Sequence, residues 1–332
     1  MKRFTFLVLF LLVPIFELAA QSSVQAEFDT LTVAEVEQMA GMSVDSIRLF
    51  ADAGDATAQF YLGVYYDQTP FTDLTKARYW YEKADAQGDA DAAFYLGCMY
   101  DVGRGVPMDN HRAFGYYQKS AENDQVLAAN NLAWCYALGQ GVKQDYAAAA
   151  PWAQKAADAG IPAAQRLLGV LYTSGYGLPR DSAEAFRWTY RAARQDDAQA
   201  ALNLAAMLAG GIGCERNLSL AREWVLKAQA AQVEGSNEML EAIDESIAGE
   251  KRLEKFGVTP EQVKKMTDAE SVKLLQKMAA AGDVEAQYSL ASGYYGGHWG
   301  MKKDYKKARY WYREAAKNGS DEAKRALKEL GW

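Results

Sequence analysis

The 332-residue chain has little of what most enzymes depend on. It holds two histidines, His111 and His298, far apart in sequence, whereas an imidazole-built metal centre needs its ligands together. No Gly-x-Ser-x-Gly elbow, Walker loop or His-Glu-x-x-His motif occurs, so no catalytic residue, metal or cofactor is implied. Three cysteines leave at least one thiol unpaired within a monomer. No stretch alternates with the period of a strand, which argues against a sheet-built fold. The apolar run Phe4–Phe16 is too short to span a bilayer comfortably.

What the beginning of the chain does have is Lys2 and Arg3, then that apolar run, then small and polar residues. This is the order of a secretory signal peptide. Residues 1–26 are assigned to it, with Val24-Gln25-Ala26 as the cleavage site and Ala20 as second choice. Glu17 argues against a retained anchor, and no cysteine follows for lipid attachment. A soluble exported protein, periplasmic or secreted, is expected, not an integral membrane protein.

Charge is uneven along the chain. Residues 27–257 carry 20 Lys+Arg against 32 Asp+Glu, while residues 258–332 carry 14 against 10. The acidic long arm does not favour nucleic acid as a partner. The basic stretch Lys302–Lys317 has Tyr305, Tyr310, Trp311 and Tyr312 among its charges. It reads either as a surface for an anionic partner or as the solvated side of a helix whose aromatics are core.

The dominant feature is a repeat. Leu62, Leu96, Leu132, Leu168 and Leu204 recur at about 36-residue steps, as do Trp80, Tyr116, Trp152, Trp188 and Trp224. Leu290 and Trp311 belong to a sixth copy and Leu327 to a final half copy. Such a period marks a helical solenoid. In each unit a first helix carries Ala, Leu and Gly on one face, as at Ala58, Leu62 and Gly63, so that a second helix can approach closely. A Gly-x-Gly turn follows (Gly103/Gly105, Gly139/Gly141, Gly175/Gly177, Gly211/Gly213). Asp73, Asp109, Asp145, Asp181, Asn217 or Asp304 then caps the second helix, and Asp181 with Glu184 has the spacing of a capping box. The second helix ends at Gly54, Gly88, Gly160, Gly282 or Gly319, suited to a left-handed cap. Cys98, Cys135 and Cys214 fall in separate units. Helix axes lie about 8–10 Å apart, beyond the usual reach of a disulfide, so free and mostly buried thiols are expected.

These residues resemble the Sel-one-like repeat family, a relative of the tetratricopeptide repeats. Asp145–Gly160 and Lys307–Gly319 follow its second-half pattern, and the resemblance spans about residues 54–232 and 282–332. It implies an all-α, right-handed α/α superhelical solenoid that binds other macromolecules. The sixth copy departs from the pattern at Trp299, where the second turn glycine belongs, and carries one extra residue.

The organisation expected is residues 27–53 as lead-in helices, 54–232 as five repeats and 233–257 as a capping or linking helix. Residues 258–332 hold a second lead-in segment, a sixth repeat and a C-terminal capping helix. Thr32-Val-Ala-Glu and Thr259-Pro-Glu-Gln begin the two lead-ins alike, with Thr259 as cap and Pro260 at the first helical position. One continuous superhelix with an irregular insert is the alternative.

Residues that vary on a fixed scaffold are the candidates for recognition. The first-helix positions opposite the Ala/Leu face hold Phe60, Phe94, Asn130, Trp134, Arg166 and Tyr288. The resemblance puts first helices on the concave surface, and large aromatics with Arg are the composition of binding hot spots. The same side chains also suit packing between neighbouring first helices. A scaffold gripping a protein or peptide, in the envelope or in contact with a host, is the leading reading. The alternatives are a peptidoglycan or carbohydrate binder, and a penicillin-binding or β-lactamase-like protein as reported for some exported relatives.

Overall fold

A computed structural model describes residues 31–332; the proposed signal peptide and the first residues of the lead-in segment lie outside them. The described residues form eighteen helices and no strand. The chain divides into two compact units, one ending at Asp244 and the other running from Glu245 to Trp332.

In the first unit, α1 (Val33–Ala40) and α2 (Val44–Asp52) lead into five helix pairs. These are α3/α4 (Ala56–Gln68, Leu74–Asp85), α5/α6 (Ala90–Val102, Asn110–Glu122) and α7/α8 (Val126–Leu138, Tyr146–Asp158). α9/α10 (Pro162–Ser174, Ser182–Ala193) and α11/α12 (Ala198–Gly210, Leu218–Ala230) complete the array. α13 (Ser236–Glu254) contains the division between the units. Its first half buries Met239 and Ile243, and Asp244 accepts two hydrogen bonds from Arg222 of α12. The second unit continues with α14 (Pro260–Lys265), α15 (Asp268–Ala280), the pair α16/α17 (Val284–Gly296, Tyr305–Lys317) and α18 (Asp321–Glu329).

Local chemistry sets the helix ends. Asp55 and Asp89 accept hydrogen bonds from the amides of Ala58 and Ala92, which satisfies donors that the first turn leaves over. Asp73, Asp109, Asp145, Asn217 and Asp304 do the same for the second helices. Thr32 and Thr259 both form full capping boxes, with Glu35 and Gln262. Asp181 caps α10, but Glu184 turns to Arg187 instead of reaching back, so the expected box is only half made.

The two helices of a pair meet because a small residue on one faces a large one on the other. Tyr81 and Tyr117 are fully buried, and each lies over a first-helix glycine. A Cβ on Gly97 would stand 2.7 Å from the Tyr117 ring. Successive pairs are joined at the turns. At Gly141 the backbone is left-handed (φ +70°), and a Cβ there would collide with the main-chain carbonyl of Asn110, at the start of the previous second helix. The sixth repeat places Trp299 in a left-handed conformation (φ +52°) and follows it with Gly300, also left-handed, as its extra residue.

Gly141→Ala adds both a strained backbone, worth about 1–3 kcal/mol, and the collision with Asn110. Hydrogen exchange should speed up in α6–α8 of this variant and little elsewhere, because contacts in a solenoid are local. Uniform acceleration throughout the first unit would contradict a linear array.

Candidate partner-binding surface

Phe60, Phe94, Asn130 and Arg166 occupy the same position in four successive first helices, and Trp134 lies one turn beyond Asn130. The sequence pattern suggests that they are exposed; the structure corrects this. Their exposure runs from 1% at Trp134 to 8% at Phe60. Phe60 packs against Tyr81 of α4 and Tyr95 of α5, with ring centroids 6.0 and 5.7 Å apart. Phe94 meets Tyr117 at 6.1 Å. The Arg166 guanidinium lies 5.0 Å from the Trp134 ring centroid and its Nε donates to Asp197 at 2.9 Å. Arg166 therefore ties α7, α9 and the cap of α11 together. Tyr288, in the second unit, is half-buried and meets Tyr312 edge-on at 5.6 Å.

The physical reason is enclosure. A helical wheel that considers only the partner helix leaves half the circumference open, yet each inner first helix is also flanked by neighbouring repeats. Such a helix is apolar nearly all round. Its open arc is narrow and lies to one side of Phe60 and its equivalents. Thr57, Asp91 and Leu127 are exposed, and Tyr61 and Tyr95 are half-buried. Leu127 is 44% and Val102 49% exposed. At 100° per residue Val102 shares the face of Asp91 and Tyr95, so these side chains form one line across three repeats.

Among the buried side chains of these first helices are polar atoms without partners. Asn130 Oδ1, Trp134 Nε1 and Arg166 Nη1 are buried and make no hydrogen bond. Buried polar groups are normally paired, so each one calls for an explanation.

The sequence reading missed two polar joints. Gln59, Gln165 and Gln287 share one repeat position, and each donates Nε2 to a carbonyl eight residues earlier. Their Oε1 atoms accept from Gln87, Gln195 and Asn318 near the end of the following second helix. The recurrence of Gln at that position was the available signal. In the other joint, Asp67 is fully buried and accepts from Arg104 Nε at 2.8 Å and from the Tyr81 hydroxyl at 3.3 Å. Burial nevertheless holds its carboxyl above the usual range, with Arg104 pulling the other way. Asp101, at the equivalent position, accepts from the Tyr117 hydroxyl at 2.9 Å.

Reactive chemistry is weakly served by these surroundings. The three cysteines are free, with Cys98 and Cys135 buried and Cys214 partly so. Burial pushes the Cys98 and Cys135 thiols up to about 12, away from the thiolate that nucleophilic catalysis needs. His111 Nδ1 lies 3.1 Å from the Gly141 carbonyl oxygen, a contact between repeats. Among the described residues no three His, Cys, Asp or Glu side chains are grouped to hold a metal ion. None of the described helices is long and apolar enough to cross a membrane.

Burial raises the folded-state pKa of Asp101 above its ordinary 3.8. The charged carboxylate is therefore the disfavoured form: the stability it contributes is full below 3.8 and is lost as pH rises through the folded value. Asp101→Asn keeps an acceptor for Tyr117 and does not titrate. Its melting temperature should equal that of the parent near pH 3 and exceed it at neutral pH. A parent that gains on the variant as pH rises would contradict this.

Comparison with known proteins places the array. The Sel1 repeat model matches residues 56–89, 90–125, 126–161, 162–197, 198–228 and 284–320, more than half of the chain. None of the curated proteins compared with it matches. Among solved structures, it is similar to c5321, a protective antigen present in uropathogenic Escherichia coli strains that displays an SLR fold. The TM-score is 0.56 at 27% identity, covering 90% of this chain and 62% of that one; the chain thus spans less than two thirds of that protein. A Sel1 repeat protein from Oxalobacter formigenes aligns at 25% identity over 96% of this chain and 86% of its own, with a TM-score of 0.48. Sel1 repeat proteins generally act as non-catalytic protein–protein interaction scaffolds. With six copies in register, the chain belongs to the Sel1 repeat family.

Proposed function

We propose that this protein is an exported scaffold that binds a protein or peptide along the concave, first-helix side of its first unit, in the envelope or against a host protein. The observation that carries this reading is the open line of Tyr61, Asp91, Tyr95, Val102 and Leu127 on three adjacent repeats. Half-exposed tyrosines on a rigid scaffold, with aliphatic neighbours that exclude water, match the make-up of hot spots and their surround. Phe60, Phe94, Asn130, Trp134 and Arg166 are buried in the first helices rather than on this line, and Tyr288 holds the repeat position of Phe60 in the sixth repeat. Export rests on the Lys2/Arg3 and Phe4–Phe16 pattern. The description of the similar c5321 as a protective antigen agrees with a location outside the cytoplasm.

A photo-reactive residue at Leu127 or Val102 should capture one defined protein from an envelope fraction, whereas the same residue at exposed Tyr79 on α4 should not. Against that captured protein, Val102→Asp with Leu127→Asp should lower affinity by roughly thirtyfold, the equivalent of about 2 kcal/mol. The melting temperature should stay within a few degrees, because both side chains are already exposed. Equal affinity in a folded double variant would remove this face from consideration.

A further inference from the structure

We propose that the second unit carries a docking surface for anionic phospholipid bilayers, formed by Tyr295, Tyr305 and Trp332 with Lys302, Lys303 and Lys306. This proposal is independent of the partner assigned to the first unit. The three aromatic rings come from the end of α16, the start of α17 and the segment after α18, and gather with centroids 5.7, 5.9 and 6.5 Å apart. Tyr305 remains 55% exposed and Tyr295 38%. The cluster is thus an aromatic knob that is partly open to solvent.

Lys302, Lys303 and Lys306 stand within three residues of Tyr305 and are exposed. Some other lysines are tied down: Lys119 and Lys155 bond to Asp85 and Asp124, and Lys307 lies beside Asp304 and over the Tyr294 ring. None of the three forms an ion pair among the described residues. Their charge is therefore free for a partner.

The other repeats show that the fold does not require this composition. Where the sixth repeat has Lys302-Lys303 before its cap and Tyr305-Lys306 after it, the second has Pro107-Met108 and Asn110-His111. The fourth has Pro179-Arg180 and Ser182-Ala183. The third, with Lys143-Gln144 and Tyr146-Ala147, shares the tyrosine and one lysine. Three lysines around the cap set the sixth repeat apart, and they coincide with the change of charge sign, from 20 Lys+Arg against 32 Asp+Glu to 14 against 10.

Composition and charge select the occupant. The three ring planes meet at 64°, 76° and 68°, an edge-to-face cluster rather than a stack. Tyrosine and tryptophan with one wet and one apolar side, ringed by long cationic side chains, suit the headgroup layer of a bilayer. An anionic layer supplies the complementary charge and repels the acidic repeats, which restricts contact to this unit.

Flotation of the full purified chain with vesicles tests the proposal. Vesicles of one third phosphatidylglycerol in phosphatidylcholine should carry the protein at low salt, and phosphatidylcholine alone should not. Binding should be largely lost in ~0.5 M salt, where charges are screened within a few ångströms. Lys302→Gln, Lys303→Gln and Lys306→Gln should each weaken binding roughly fivefold, and the triple variant on the order of a hundredfold. Tyr305→Ser should weaken it without changing the salt dependence, and Lys76→Gln on the first unit should leave it unchanged. The proposal is overturned by equal flotation with neutral vesicles, by a triple lysine variant that floats as well as the parent, or by binding to a soluble acidic polysaccharide with none to vesicles.

Discussion

Close approach of backbones is the constraint on which the structure depends. First and second helices meet where a glycine or alanine of one receives a large side chain of the other, as Gly97 receives Tyr117. Neighbouring pairs meet where a turn glycine lies on the main chain of the preceding second helix, as Gly141 lies on Asn110. A single pair cannot bury its own apolar surface, and stacking supplies the remainder. Interior side chains of each repeat are thereby committed to two neighbours, and only the turns, the outer helix faces and a narrow line on the first helices remain for recognition.

Polar groups are handled in the same repeating way. Gln59, Gln165 and Gln287 bridge a preceding carbonyl and a following amide. Asp67 with Arg104, and Arg166 with Asp197, cross from repeat to repeat as ion pairs. Pairs this buried contribute modestly to stability, but removing one partner is costly because the other is left charged and alone. Each joins one repeat to the next.

Fold and caps were legible in the sequence because they depend on residues three or four apart. Asp at the cap, glycine at positive φ and Ala/Leu spacing each report a local requirement. The candidate surface was less legible. A helical wheel puts Phe60, Phe94, Trp134 and Arg166 on an open face because it counts one partner helix and not the flanking repeats. The partners that bury them, Tyr95 and Asp197 among them, lie about one repeat further along the chain. The signal was present in first helices such as Phe60–Tyr66, where apolar residues run nearly all round. The aromatic–lysine edge of the second unit was visible as composition, but the meeting of Tyr295, Tyr305 and Trp332 required the fold.

The inner first-helix residues hold the repeats together, while the line beside them is what remains open. Thermal melting of Trp134→Ala tests this most directly. Loss of a large, fully buried aromatic that also supports Arg166 should cost about 3–5 kcal/mol and appear as early opening of α7–α9. A Trp134→Ala protein that melts with the parent, and differs only in what it binds, would show the residue to be surface and would contradict the account.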